Sequence, residues 1–238
     1  MRSEIVRFES YELNHRGNVR PSAILRRMQQ AAREDLASFG IRYEDMRQRN
    51  MAFVVSRFAL LFERPVVGEM NLQLRTAPNP IHGATFPRSF LIEDEQGICV
   101  KGMSLWALLD FEKRALLRPS SLWEEIPTSD DLTGGFSCER LSKPSVSPAI
   151  FDTRKVYASM LDQNNHLNNC NYADLSTDLL PEYAGEVQQI QISFQKEARL
   201  GDTLSLEGYM NINEKELIVN GVFSDSGKCC FMSKITLF

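Results

Sequence analysis

Between Asp162 and Tyr172 the chain reads Asp-Gln-Asn-Asn-His-Leu-Asn-Asn-Cys-Asn-Tyr, which places five Asn, one Asp and one His within eleven residues. Residues of these types favour turns and helix N-caps, and Asn168 or Asn169 suits the start of the apolar-periodic segment that follows. Capping needs one such residue and leaves the alternation Asp162, Asn164, His166 without an explanation. In an extended segment, residues two apart point to the same side. An acid, an amide donor and an imidazole would then share one face just ahead of a helix N-terminus. That grouping suits a carbonyl whose oxygen becomes negative as a nucleophile adds to it.

The rest of the chain must position this segment. It has 238 residues, with Lys+Arg 27 against Asp+Glu 31, a formal charge of −4, and it is 43% hydrophobic. Length and composition are those of a globular protein of one large or two smaller domains, and they argue against disorder. No apolar run exceeds five residues (Met51–Val55, Phe58–Phe62, Leu105–Leu109), so a membrane-spanning helix is not expected. The first residues carry no apolar signal region, and the mildly acidic total speaks against general nucleic-acid binding. The expected location is the cytoplasm. Cys99, Cys138, Cys170, Cys229 and Cys230 are odd in number and form no CxxC pair, as suits free thiols in a reducing compartment. With only three histidines, His15, His82 and His166, neither a metal nor a cofactor is expected.

Apolar residues at Ile24, Leu25, Met28, Ala31, Ala32, Leu36 and Phe39 predict a helix from Pro21 to Phe39, stopped by Gly40. Strands are expected near Glu4–Glu9, Met51–Phe62, Met70–Thr76, Thr85–Glu93 and Ile98–Phe111. Residues 118–150 hold four of the ten prolines and the Gly134-Gly135 pair, and read as a linker. The pattern then restarts: a strand near Phe151–Ala158, a helix from about Asn169 to Leu180 ended by Pro181, and strands near Val187–Phe194, Thr203–Asn211, Glu216–Ser224 and Lys228–Phe238. Phe62-Glu-Arg-Pro-Val-Val-Gly68-Glu69 and Phe194-Gln-Lys-Glu-Ala-Arg-Leu-Gly201-Asp202 occupy equivalent places. So do the turns Asp94-Glu-Gln-Gly97-Ile-Cys99 and Asp225-Ser-Gly227-Lys-Cys229. Each half therefore reads as a strand, a helix and four antiparallel strands, with the helix covering the apolar face of the sheet.

The order Asp-x-Asn-x-His-x-Asn-Asn-x-x-Tyr resembles the signature of the acyl-acyl-carrier-protein thioesterases, and with the repeat the resemblance covers nearly the whole chain. It implies an α+β tandem (double) hotdog: an N-terminal hotdog at 1–117, non-catalytic and housing the acyl chain, a linker at 118–150, and a catalytic C-terminal hotdog at 151–238. It implies hydrolysis of fatty acyl thioesters of an acyl-carrier protein to free fatty acid, with Asp162, Asn164, His166 and Glu197 as catalytic residues. Glu197 falls in Phe194-Gln195-Lys196-Glu197-Ala198, the place of the family's second carboxylate. The Cys that follows it in the plant enzymes is Ala198 here, so no thiol is needed at that position. Cys170 reads as packing.

The first copy supplies a check. Aligning Val19 with Leu167 puts Asn18 opposite His166, and Pro65 lies opposite Glu197. One active site per chain follows, with His15 a turn residue and His82 a loop residue. Either Glu197 or His166 is the general base on water. Asn164, with backbone N–H groups near Asn168, polarises the carbonyl, and Asp162 orients His166 or a neighbouring backbone group. A carboxylate nucleophile forming an anhydride stays open. Ile24, Leu25, Met28 and the strand Met51–Phe62 are candidate walls for the acyl chain and equally plain core, and Trp106 and Trp123 carry the same ambiguity. A hotdog acyl-CoA thioesterase, a hotdog dehydratase and a non-catalytic acyl-thioester binder are the alternatives; a homodimer is compatible with all of them. Residues 14–49 hold eight Arg against four acids, a basic segment suited either to an acidic carrier protein or to solvated ion pairs.

Overall fold

The structure, a computed structural model, describes residues 1–118, 122, 124–182 and 184–238; Trp123 lies outside them. The chain divides into two compact units, Met1–Val19 with Ile24–Cys138, and Arg20–Ala23 with Glu139–Phe238.

Unit 1 is an antiparallel sheet in the order β1 (Arg2–Arg7), β3 (Asn71–Pro78), β4 (Thr85–Asp94), β5 (Gly97–Asp110), β2 (Met51–Phe62). Helix α1 (Pro21–Ser38) lies against it, because its buried residues Ile24, Met28, Ala31 and Asp35 recur at helical spacing. Gly102 on β5 makes room for it: a Cβ there would sit 2.6 Å from Met28 Cε. Gly40 ends the helix as expected, in the left-handed region at φ +80°, with the Ile41 N–H returning to Leu36 O at 3.1 Å. A second helix, α2 (Tyr43–Gln48), was not expected. Its single buried apolar residue, Met46, gives no periodicity, and it is held by packing of Met46 with Ile41, Leu108, Leu122 and Ile126.

Unit 2 repeats the plan, with strand order β7 (Val187–Phe194), β10 (Cys229–Leu237), β9 (Glu216–Phe223), β8 (Thr203–Asn211), β6 (Ile150–Lys155). Its helix α3 is Asn171–Thr177, shorter than the stretch expected to reach Leu180. Ser176 and Thr177 turn their hydroxyls back onto the carbonyls of Tyr172 and Ala173, at 2.7 and 3.0 Å, and Leu180 closes a tighter turn onto Thr177 before Pro181. Where Met28 meets Gly102 in unit 1, unit 2 has a buried hydrogen bond of 2.7 Å from Ser233 to Ser176.

The unit boundaries differ from those read in the sequence, 1–117 and 151–238 around a linker at 118–150. Much of the proline-rich stretch packs on unit 1: Leu122 and Ile126 are buried, and the Leu132 N–H reaches Ser89 Oγ at 3.2 Å. Glu139 joins unit 2 through its N–H to Gln191 Oε1 at 2.8 Å. Ile24, Leu25 and Met28, the candidate wall residues, are packed at 0, 1 and 0% exposure. A groove of about 170 Å³ in unit 1 is lined instead by Arg64, Val66, Met70, Leu72, Asp94 and Cys99 among others. No described helix is long and apolar enough to cross a membrane.

Candidate active site

The segment Leu161–Leu167 closes on itself. Leu161 and Leu167 pair as an isolated bridge, the Asp162 N–H donates to His166 O at 2.8 Å, and the Asn165 N–H to Asp162 O at 3.1 Å. Asn165 takes the left-handed region at φ 61°, which Asn adopts more readily than most residues. Asp162 Oδ1 accepts the backbone N–H groups of Asn164, at 2.8 Å, and of His166, at 3.2 Å. The motif is thus a tight turn, and the shared face expected of an extended Asp162, Asn164 and His166 does not form. Asp162 shapes the loop through its backbone, which is the second of the two roles expected for it. Asn164 lies exposed at the tip.

The second strand of the site comes from the turn after β7. The Leu167 N–H donates to Ala198 O at 2.8 Å, and His166 pairs with Arg199 as an isolated bridge. Asp202 caps that turn by accepting the Arg199 N–H at 2.7 Å. This pairing brings His166 Nε2 to 3.1 Å from Glu197 Oε2, with side chains 17% and 38% exposed. Arg199 Nη2 adds a cation 3.9 Å from the same oxygen. The imidazole is sheltered and the carboxylate is open to solvent. An arrangement of this kind can take a proton from a water molecule and hold the charge that develops.

Three of the backbone donors near Asn168 are used within the loop itself. The Asn168 N–H bonds Met160 O at 3.0 Å, the Cys170 N–H bonds Asn168 Oδ1 at 2.9 Å, and the Asn171 N–H bonds Asn168 O at 2.9 Å. Asn168 thus closes the turn that leads into α3. Cys170 is buried, as a packing residue would be. Among the described residues, no group of three or more His, Cys, Asp or Glu side chains is placed to hold a metal ion.

Unit 1 builds the same loop without the His–Glu pair. Leu13 pairs with Val19, the Asn14 N–H donates to Asn18 O at 2.7 Å, and Asn14 Oδ1 accepts the N–H groups of Arg16 and Asn18 at 2.9 and 3.0 Å. Gly17, at φ +82°, stands where Asn165 does. The Val19 N–H meets Val66 O, and Asn18 pairs with Val67. The register puts Asn18 in the place of His166 and Pro65 in that of Glu197, matching the alignment made from sequence. Of the basic segment, Arg26 and Arg33 are exposed, while Arg27 is bound to Glu12 at 3.1 Å and Arg49 to Glu125 at 2.9 Å.

Tyr172 on α3 and Cys230 on β10 are both buried. Both lie behind the Glu197 turn, with Tyr172 Oη 3.6 Å from Cys230 Sγ. The Tyr that closes the motif was the one available signal.

The sequence matches the family described as Acyl-ACP thioesterase N-terminal domain over residues 3–127 and Acyl-ACP thioesterase C-terminal domain over residues 147–229. No individually curated protein matches it. In structure the chain is similar to an acyl-ACP thioesterase from Bacteroides thetaiotaomicron, at 18% identity and TM-score 0.88, covering 98% of this chain and 96% of that one. It is also similar to the 12:0-ACP thioesterase from Umbellularia californica, at 16% identity and TM-score 0.83, covering 98% and 95%. A MaoC-like dehydratase from Phytophthora capsici shares less, at 14% identity and TM-score 0.56, covering 78% and 69%. Both halves of the family are matched in order along the sequence, and the second match spans the loop of His166 and the turn of Glu197. The chain therefore belongs to the acyl-ACP thioesterase family of thioester hydrolases, and its fold is their double hotdog.

Proposed function

We propose that this protein hydrolyses fatty acyl thioesters of an acyl-carrier protein, releasing the free fatty acid and the carrier thiol, with one active site at His166 and Glu197. The observation that carries the proposal is the 3.1 Å His166–Glu197 pair in unit 2, set against Asn18 and Pro65 on the same backbone frame in unit 1. A loop built twice, with the titratable pair kept once, points to chemistry at the second copy rather than to folding.

In this reading a water molecule beside Glu197 loses a proton to the carboxylate as its oxygen adds to the thioester carbonyl carbon. His166, hydrogen-bonded to the same carboxylate, fixes its orientation and stabilises the charge there. The side-chain amide of Asn164, at the exposed tip of the same loop and not on the face of His166, is assigned to donate to the carbonyl oxygen once substrate is bound beneath the tip. The C–S bond then breaks, and the proton passes to the departing sulfur, so that water and thioester give acid and thiol. General-base assistance of this kind contributes about 10²–10⁴ in rate, and one oxyanion donor about 10²–10³. Asp162 keeps His166 in place by holding the loop closed.

The test is release of free thiol by purified protein from acyl-carrier-protein and acyl-CoA substrates of the same chain, side by side. Thiol release with the higher kcat/KM on the carrier substrate is expected. Higher kcat/KM on the CoA substrate would reassign the donor. An enoyl product without thiol would overturn hydrolysis altogether.

A further inference from the structure

Glu197 sits on a turn outside any strand, exposed, yet it must meet His166 at hydrogen-bond distance. What holds that turn is a buried polar pair beneath it. Tyr172 on α3 and Cys230 on β10 are 2% and 0% exposed, and their hydroxyl and thiol lie 3.6 Å apart. Cys230 is tied to the turn three times: its thiol donates to Lys196 O at 3.2 Å, and its carbonyl accepts the N–H groups of Gln195 and Lys196 at 2.8 and 3.0 Å. Burial pushes the Cys230 thiol up to about 12, so it stays protonated and remains a donor. The Tyr172 ring is fixed in turn by edge-on contacts with Phe194 and Phe231, centroids 5.4 and 4.8 Å away.

Unit 1 provides the internal comparison. Cys99 occupies the place of Cys230, and its carbonyl still accepts the Glu63 N–H at 2.9 Å. The residue in the place of Tyr172 is Ile24, which has no hydroxyl, and the Cys99 thiol faces Gly97 O at 3.7 Å instead. The backbone half of the arrangement is thus common to both copies, as a sheet end requires. The hydroxyl–thiol half occurs only in unit 2, where the turn carries Glu197 at the position that Pro65 takes in unit 1.

We propose that Tyr172, acting with Cys230, is a positioning residue that holds Glu197 against His166 without touching the reacting atoms. The proposal rests on reading His166 and Glu197 as the catalytic pair. Displacement of a catalytic group by about 1 Å can cost up to about 10² in rate, so the loss of one anchoring hydroxyl is expected to lower kcat about tenfold and leave KM unchanged.

Two measurements on Tyr172→Phe test it. The first is amide hydrogen exchange across residues 194–199. Exchange at Gln195 and Lys196, whose N–H groups bond Cys230 O, is expected to rise about tenfold, with α3 otherwise as protected as before. Unchanged exchange at both amides would overturn the proposal. The second is a double-mutant cycle with Glu197→Gln. The Tyr172→Phe loss is expected in the wild-type background and absent in the Glu197→Gln background; an equal loss in both would show that Tyr172 acts through some other group and refute its role. Faster exchange together with a Glu197→Gln variant of full activity would leave the positioning intact and overturn the catalytic reading of Glu197. Should Tyr172→Phe fail to fold, Cys230→Ala removes the donor to Lys196 O and enters the same cycle with the same expectations.

Discussion

Replacing Asp162 by Asn separates a carboxylate that shapes a loop from one that takes part in the reaction. Asp162 Oδ1 closes the loop by accepting two backbone N–H groups, at 2.8 and 3.2 Å. In unit 1 the neutral side-chain amide of Asn14 closes the equivalent loop through its Oδ1, which accepts bonds of 2.9 and 3.0 Å, while the Asn14 backbone N–H donates to Asn18 O at 2.7 Å. An Asn oxygen can therefore replace the Asp oxygen without changing the backbone. Hydrogen bonds to charged acceptors are worth about 1.5–3 kcal/mol and to neutral ones about 0.5–1.5 kcal/mol. The loop is partly exposed, so the low end of each range applies. Asp162→Asn then weakens each bond by about 1 kcal/mol, or about 2 kcal/mol for the two, while Asp162→Ala removes about 3 kcal/mol. At about 1.4 kcal/mol per decade these are ceilings of about 30-fold and 150-fold on loop closure. The loss of kcat/KM is smaller still if the closed loop is strongly populated to begin with. The assay is kcat/KM for thiol release, read beside the exchange rate of the His166 amide as a gauge of closure. Asp162→Asn with a protected His166 amide and a loss under about 30-fold is expected. A protected amide with a loss beyond about 100-fold would refute the reasoning, because the charge of Asp162 would then act on the chemistry directly.

Three further outcomes are expected. His166→Ala and Glu197→Gln should each lower turnover by about 10² or more in folded protein, while His15→Ala and Cys170→Ala should cost less than about tenfold; steady-state kinetics with circular dichroism checks both. Asp35 and Arg88 form a buried ion pair at 2.8 Å, 3% and 4% exposed, with Arg88 Nη2 lacking a partner and burial pulling the guanidinium below its usual range. Asp35→Ala would strand that charge at a cost of about 3–5 kcal/mol, which for a chain of this length lowers Tm by about 6–20 °C. Joint replacement by Leu and Met should restore most of it, and a loss under about 1 kcal/mol for Asp35→Ala in a thermal melt would contradict the burial argument. If the basic segment at 14–49 receives the acidic carrier, kcat/KM on carrier substrates should fall steeply as the Debye length shrinks from about 10 Å at 0.1 M salt to about 3 Å at 1 M. Arg26→Glu should raise KM for that substrate alone, and equal salt sensitivity on a neutral thioester would place docking elsewhere.

Much of this protein follows from short-range pattern. The 3.6-residue period of Ile24, Met28, Ala31 and the stop at Gly40 define α1, and strict alternation defines strands such as β3, because local periodicity alone selects helix or strand. The duplication was legible for the same reason, and so was the loss of His and Glu from the first copy. The resemblance of the Asp162–Tyr172 segment to a family signature named the residues of the site. Their geometry was not legible. An extended reading of Asp162, Asn164 and His166 gave way to a turn, because the Asp162 oxygen finds two backbone N–H groups within four residues, and hydrogen bonding of that kind competes with extended structure. α2 and the packed residues near Leu122 are held by contacts with β2, β4 and β5, so no pattern in their own sequence announces them. The approach of His166 to Glu197, and of Tyr172 to Cys230, depends on the register between the loop, β7 and β10. A slip of one residue in an antiparallel pair would turn every side chain to the other face. Sequence therefore determined which residues are proposed to carry the chemistry, and tertiary structure decided which of them meet, because meeting depends on strand register and packing between segments far apart in the chain.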